Sequence, residues 1–417
     1  MSRERSARRA LIFEGGSTPH VIAAARALAA GGWTVGVASS GPSSAAARSR
    51  HVRAVHRVPA PEHDLPAFVA AAAEVTRRGS YQVVFGADDV EVVALSFARE
   101  QIPAVVPYAE HHAVLRAIDK LELHRAAVAV GLGAPDTRPV TPELLAACRL
   151  PVVVKARLHW QPGVSETARH QIARLCATRA EAKQCAEAMR DAGGEPLLQD
   201  VVDGELMALT TVADRGSRPV GFVQQRGLRL SLRHTTCRGI SVPVEEDLAA
   251  RASALLARLG WFGMANMQFL RSPAGAPLLI DFNGRFYGSL ALASAAGMNL
   301  PAAWADLATG GGRPSGAAQA AAGARFQSLA EDLRRARSER RGGLARDVAG
   351  ALRFAPGAAH PHLAARDPGP ALALLARLVP GGGTVSQGGV RRARSATLGR
   401  RPIQRSDLPG RDANTGS

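Results

Sequence analysis

Lysine is nearly absent from this 417-residue chain: Lys120, Lys155 and Lys183 stand against 49 arginines. Where any cation serves, the chain uses arginine, so each retained lysine points to a need for a compact ammonium on a flexible stem. Long apolar runs are absent too. None reaches the roughly 18 to 20 residues of a membrane-spanning helix, and no such span is expected. The basic stretch Met1 to Arg9 passes directly into Leu11-Ile12-Phe13-Glu14-Gly15-Gly16, without the apolar core and cleavage site of a secretory signal. Cysteine is scarce. Cys148, Cys176, Cys185 and Cys237 show neither a CxxC pair nor metal-ligand spacing, and read as reduced thiols in a cytoplasmic protein. Residues 331–417 hold 16 arginines against 7 acidic residues but a single aromatic, Phe354. Without a platform for stacking bases, a solvated or disordered tail is expected there, and nucleic acid is not an expected partner.

What is present is a globular composition, 46% hydrophobic and 21% charged, on a chain long enough for two or three domains. From Ala10 to about Val106, β-rich runs at 11–13, 34–38, 82–85 and 104–106 alternate with helical stretches at 18–30, 65–78 and 90–99. Such alternation implies a parallel sheet covered by helices. Gly15-Gly16-Ser17 fits either an anion-binding turn or a tight turn chosen for its backbone angles. A helix is expected from Asp119, its N-cap, to Gly131, and an apolar strand over 151–155. From Leu197 the character changes to antiparallel hairpins. Strands at 197–202 and 206–212 flank Asp203-Gly204, residue types suited to a type I′ turn. Strands at 265–270 and 277–282 flank Ser272-Pro273-Ala274-Gly275, and a helix at 248–259 separates the two pairs. Residues 309–324 read as a linker, Phe326–Arg341 and Ala371–Leu378 as amphipathic helices, and the chain beyond Pro380 as disordered.

Lys155 closes a run of β-branched residues typical of a covered strand, where a lysine must reach water or meet an anion. Asp119-Lys120 suits a plain helix start as well as a site. Asp281 and Asn283 are two apart on a strand and share one face. With the turn centred between Ala274 and Gly275, Gln268 stands directly opposite Asp281. Three oxygen-bearing side chains on one face suit Mg²⁺, which takes one or two carboxylates and completes its shell with water and phosphate. A polar outer face of a hairpin is the other reading. Arg285, three residues before Gly288, is either an anion-binding arginine or simply one of 49.

In order and spacing, Asp119-Lys120, Pro151 to Lys155, Gln199 to Glu205, and Gln268 through Asp281-Phe282-Asn283-Gly284-Arg285-Phe286-Tyr287-Gly288-Ser289 resemble the ATP-grasp superfamily. The resemblance covers residues 11–311 and is strongest to the carboxylate-amine ligase and carbamoyl phosphate synthetase-like branches. The last stretch is similar to the family pattern E-x-N-x-R-x-x-G-S. The fold implied is α/β and α+β. A Rossmann-like parallel-sheet domain (1–108) precedes a two-lobed ATP-grasp domain (109–195 and 196–310), and 311–417 form a linker, short helices and a basic, partly disordered tail.

The resemblance also implies roles. Lys120 and Lys155 would reach the phosphates of ATP, backbone groups of Gln199, Asp200, Val201 and Val202 the adenine edge, and Glu205 the ribose. Asp281, Asn283 and Gln268 would hold Mg²⁺, with Mn²⁺ an acceptable substitute. Arg285 and Lys155 would be the catalytic pair, Arg285 stabilising charge on the transferring phosphoryl group. Arg226 and Arg229 are candidates for a substrate carboxylate, in a segment that also carries Arg233, His234 and Arg238. The implied activity is that of a ligase that activates a carboxylate as an acyl phosphate for attack by an amine. Its expected partners are these small molecules, with a homodimer admissible. The alternative is a nucleotide-binding protein of weak or no activity. Gln268 and Asp281 stand where many members carry glutamate, and 156–163 has one glycine, Gly163, where a glycine-rich phosphate loop is common.

Overall fold

The computed structural model describes residues 8–16, 19–41, 44–160, 173–231, 235–271, 275–312 and 319–376. The alternating N-terminal pattern builds the expected parallel sheet from β1 (Arg9–Glu14), β2 (Thr34–Ser39), β3 (Val52–Arg57) and β4 (Val83–Gly86), in the order β3-β2-β1-β4. β1 and β4 are buried almost throughout, as strands covered on both faces must be. β3 was not expected. It is an edge strand whose alternate residues are exposed, and its Arg53, His56 and Arg57 hide the β pattern. Residues 104–106 contribute a single bridge, Val83 to Val105, rather than a strand. Strand order reverses at β1, so the carboxyl ends of β1 and β4 border the crevice where open α/β sheets bind ligands. Gly16 sits there at φ +102°, the conformation a tight turn requires of glycine.

A second sheet, antiparallel, has the order β5-β8-β6-β7: β5 (Thr137–Pro139), β6 (Val152–Ala156), β7 (Arg174–Cys176) and β8 (Pro196–Asp200). Helices Pro142–Ala147 and Arg179–Asp191 back it, with a small core of its own that includes Val152, Val154, Cys176, Ala186 and Met189. The third sheet comprises β9 (Glu205–Ala213), β10 (Val223–Leu230), β11 (Thr236–Val242), β12 (Gly263–Arg271), β13 (Leu278–Asn283), β14 (Arg325–Gln327) and β15 (Ala358–Ala359). Its order is β13-β12-β9-β10-β11-β14-β15.

The expected hairpin at Asp203-Gly204 does not form. β8 is held between β5 and β6, and β9 between β10 and β12, so neither strand has an open edge for the other. Residues 201–204 instead cross from one sheet to the next, and β8 belongs with the sheet of the preceding lobe. The second hairpin forms, with Gln268 opposite Asp281 and Asn266 opposite Asn283 as expected, whereas nearer the turn the register shifts by one residue and Phe269 stands opposite Leu279. Residues 272–274 of its turn lie outside the described residues.

The C-terminal region is corrected as well. Phe326 lies in β14, antiparallel to β11, and the helix starts only at Leu329. Helices Leu329–Glu339, Leu344–Phe354 and Gly369–Ala376 then pack on the fold. Asp367, 1% exposed, accepts from Ser49 Oγ (2.7 Å), the Arg50 amide (2.9 Å) and Arg26 Nε (2.8 Å), which ties this region to the N-terminal domain. Residues 325–376 are therefore part of the folded structure, and add the strands β14 and β15 and the helix Leu344–Phe354 to the short helices expected there. The chain from 377 onward lies outside the described residues, as do Ser17, Gly163, Arg233, His234 and 313–318. No helix among the described residues is long and apolar enough to cross a membrane.

Candidate active site

Asp119 caps the helix Lys120–Val128, accepting from the amides of Leu121 (2.9 Å) and Glu122 (3.2 Å), and thereby fixes Lys120 at the first helical position. Arg157 Nε donates to the other oxygen of Asp119 (2.7 Å), which ties the helix to the segment after β6. Lys120 Nζ pairs with Asp281 on β13. Lys155, 6% exposed near the end of β6, has an ammonium that makes no ion pair or hydrogen bond among the described residues. Burial, followed by the charge of Lys120, lowers its pKa to about 7. His124, one turn along from Lys120, is lowered to about 3 by burial and then by Lys155 and Lys120, and neither ring nitrogen has a hydrogen-bond partner. Burial opposes ionisation of Asp281, but Lys120 and then His159 hold its carboxyl below the ordinary range. The one carboxylate is thus taken by Lys120, and Lys155 stays buried without an ion-pair partner among the described residues. Such a pocket suits an anion.

A second cluster forms around Arg285. At Gly284 a Cβ would collide with the Trp261 ring, so the turn after β13 needs glycine. The rings of Phe85, Phe286, Trp304 and Tyr108 then pack end to edge, with centroids 5.3 Å apart for Phe85–Phe286, 4.7 Å for Phe85–Trp304 and 5.3 Å for Tyr108–Trp304. This packing joins β4 to the segment carrying Arg285. The guanidinium donates through Nε to Asp89 (2.8 Å) and through Nη1 to the Phe286 carbonyl (3.0 Å), and Nη2 lies 3.5 Å from Asp88. The second oxygen of Asp89 accepts from His159 Nδ1 (2.9 Å). Although burial opposes it, Arg285 and then His159 hold Asp89 well below the usual carboxylate range. Glu91 is pushed well above the usual carboxylate range by burial and by Asp88. His20, lowered to about 4 chiefly by burial, donates through Nε2 to the Ala87 carbonyl (2.9 Å).

Arg285 was expected at the site, but His20, Asp88, Asp89, Glu91 and His159 were not. The signal available was the acidic run at 88–91 directly after a parallel strand, where ligands bind in such sheets.

On the third sheet, Gln225, Ala208, Gln268 and Asp281 stand in one cross-strand row and Val223, Thr210, Asn266 and Asn283 in the next. Gln268, Asp281 and Asn283 therefore share a face, together with Asn266, whose Oδ1 is buried without a hydrogen-bond partner. One carboxylate with amide oxygens suits a hard divalent cation such as Mg²⁺ that keeps most of its shell for water and phosphate. No group of three His, Cys, Asp or Glu side chains among the described residues offers an alternative metal site.

The two candidate substrate arginines do not meet this face. Arg226 stands in register with Met207 and Phe269, on the opposite side of the sheet from Asp281. Arg229 is buried and engaged by three carboxylates: Asp347 at 2.7 and 2.8 Å, Glu339 at 2.7 Å and Asp332 at 3.2 Å. Its role is to hold the C-terminal helices on β10, which the sequence could not reveal because the partners lie over 100 residues away. Gln199 is buried and donates to Thr137 Oγ1 (2.8 Å), whereas Asp200, Val201 and Glu205 are exposed along the crossing between the sheets. A concavity of about 530 Å³ lined by Leu121, His124, Pro135 and Thr137 adjoins this crossing.

Residues 222–331 match the family described as ATP-grasp in the biosynthetic pathway with Ter operon, a span that contains Gln268 to Ser289. Among solved structures the chain is similar to biotin carboxylase from Campylobacter jejuni, at 14% identity and TM-score 0.56 over 73% of this chain and 72% of that one. It is similar to N5-carboxyaminoimidazole ribonucleotide synthetase from Thermus thermophilus, at 18% identity and TM-score 0.55 over 76% and 81%. It is also similar to L-amino acid ligase from Bacillus licheniformis, at 14% identity and TM-score 0.54 over 73% and 75%. At these identities the likeness is one of fold. No curated protein matches the chain.

Proposed function

Because this chain has the fold of the ATP-grasp superfamily, we propose that it is an ATP- and Mg²⁺-dependent ligase that activates a carboxylate as an acyl phosphate for attack by an amine or similar nucleophile. The observation that carries this reading is a buried pair of lysines with one carboxylate: Lys120 is paired with Asp281, Lys155 has no ion-pair partner among the described residues, and Asp281 shares its sheet face with Gln268 and Asn283. A polyphosphate supplies the negative charge such a pocket lacks.

In this reading Lys120 and Lys155 bind the phosphates, the 199–202 backbone and Glu205 hold the nucleoside end, and the boundary between the lobes lies at 201–204. Asp281, Asn283 and Gln268 would hold Mg²⁺, whose chemistry is to neutralise phosphate charge. Arg285, aimed by Asp89, stabilises charge on the transferring group, and positioning supplies the remainder of the rate. A second reading, nucleotide binding without ligation, is favoured by the single carboxylate in that donor set.

Thermal-shift titration with ATP, with and without Mg²⁺, tests the proposal on wild type and Lys155→Met. At ~100 times Kd, ATP should stabilise wild type by ~2.7 kcal/mol and the variant by much less. No shift in a folded wild type overturns the reading. A shift without ADP release over a broad substrate panel favours the second one.

A further inference from the structure

An amine attacking an acyl phosphate must lose a proton, and the proposed ligase reaction, on which this inference rests, therefore needs a base near Arg285. Most titratable groups of the two clusters are committed elsewhere. Lys120 is paired with Asp281, and Lys155 and His124 lie in the phosphate pocket. His20 is buried with its Nε2 proton on a carbonyl, Glu91 is buried, and Asp88 and Asp89 face Arg285.

His159 differs from all of these. Its side chain is 40% exposed, Nδ1 lies 2.9 Å from Asp89 Oδ2, and Nε2 makes no hydrogen bond among the described residues. Asp89 accepts only, so Nδ1 carries a proton, and in the neutral ring the lone pair is on Nε2. Through its other oxygen the same carboxylate holds Arg285 Nε at 2.8 Å. One buried side chain thus aims both an imidazole lone pair and a guanidinium, the arrangement in which a base is oriented by a third group.

We propose that His159 is the general base that accepts the proton of the attacking nucleophile, and that Asp89 is the positioning residue that fixes its tautomer and sets it beside Arg285. In the step, the amine nitrogen bonds to the acyl carbon. The carbon–oxygen bond to phosphate breaks, and its electron pair leaves on inorganic phosphate. The nucleophile's proton passes to Nε2, and the resulting imidazolium is stabilised by Asp89. The competing account is an ion pair that merely joins the segment after β6 to the N-terminal domain.

The full chain is tested as wild type, His159→Gln and His159→Arg. Arginine retains an ion pair with Asp89 but accepts no proton. Nitrogen-15 spectra of histidine-labelled protein, with the His159 signal identified by its loss in His159→Gln, should show the Nδ1–H tautomer at about pH 8, and Asp89→Asn should abolish that preference. An Nε2–H tautomer, or an imidazolium persisting at that pH, overturns the assignment. In the assay, MgATP is supplied with a mixture of the proteinogenic amino acids, with or without hydroxylamine. Amide formation should fall by about 10²-fold or more in both variants. Hydroxamate formation should stay near wild type, because neutral hydroxylamine attacks without a base. Undiminished amide formation by His159→Arg reduces the contact to an ion pair and overturns the base. Absence of an MgATP thermal shift in wild type overturns the ligase reading and the base with it, whereas a normal shift with the wrong tautomer overturns the base alone.

Discussion

Two charge clusters in this protein are settled in opposite ways. Around Asp281, Lys120 takes the one carboxylate, Lys155 has no ion-pair partner among the described residues and is driven down to about pKa 7, and both nitrogens of His124 lack partners. Around Arg285, by contrast, the arginine and His159 each have a carboxylate oxygen of Asp89 within 2.9 Å. The first cluster gains from an incoming anion, because its charges are desolvated and unmatched. The second already has its carboxylate partners and is suited to aiming Arg285 and His159. In a ligand site, unmet charge marks where the ligand goes, and met charge marks the groups aimed at it.

The largest effect expected from breaking this comparison is on turnover. Arg285→Lys keeps a cation for Asp89 but loses the planar fork, so ADP release should fall by about 10³-fold or more while the MgATP thermal shift persists. Equal loss of both would move Arg285 to the nucleotide side.

Lys155 comes next. Its ordinary pKa is 10.5 and its folded pKa about 7. Between those values the unfolded chain holds the additional proton, so stability rises with pH across the window, and the full penalty acts below about pH 7. Lys155→Met should remove that penalty, at most about 5 kcal/mol, and flatten urea-unfolding stability between about pH 7 and 10. Identical slopes in variant and wild type would clear the lysine. ATP binding near pH 8 should also take up a proton, read by calorimetry in buffers of different ionisation enthalpy.

Asp89→Asn, in the settled cluster, leaves buried Arg285 without its nearest carboxylate and should cost about 3 kcal/mol in urea unfolding. A loss below about 1 kcal/mol would mean that Asp88 substitutes for it. The smallest effect is expected from Gln268→Glu, which adds a charged donor beside Asp281. Mg²⁺ affinity in the ADP complex should rise a few-fold by calorimetry, since affinity of such sites follows ligand charge. No change would remove Gln268 from the metal shell.

Much of the scaffold was legible because its signals are local. Asp119 reads as an N-cap and acts as one, and the helix expected over Leu65–Arg78 has those bounds in the structure. The pairing of Gln268 with Asp281 followed from strand alternation and one assumed turn centre. Asp203-Gly204 misled for the complementary reason. Its turn propensity is local, whereas pairing depends on which strand edges remain open, and both edges of β8 and β9 are taken. Arg226 and Arg229 failed likewise, since neither sheet face nor carboxylate partners over 100 residues away can be read from a run of arginines.

Local pattern and composition sufficed for β1, β2 and β4 of the parallel sheet, for the Asp281-Phe282-Asn283-Gly284-Arg285 signature and for the scarcity of lysine that drew attention to Lys120 and Lys155. These depend on neighbours in the chain or on composition. Packing of distant elements was needed for Asp89 to join Arg285 to His159, for Lys120 to meet Asp281 and for Asp367 to fasten the C-terminal helices to the N-terminal domain. Each is an electrostatic contact between residues 70 to 341 positions apart. Such contacts form only after packing has brought their elements together and excluded the water that would otherwise screen them.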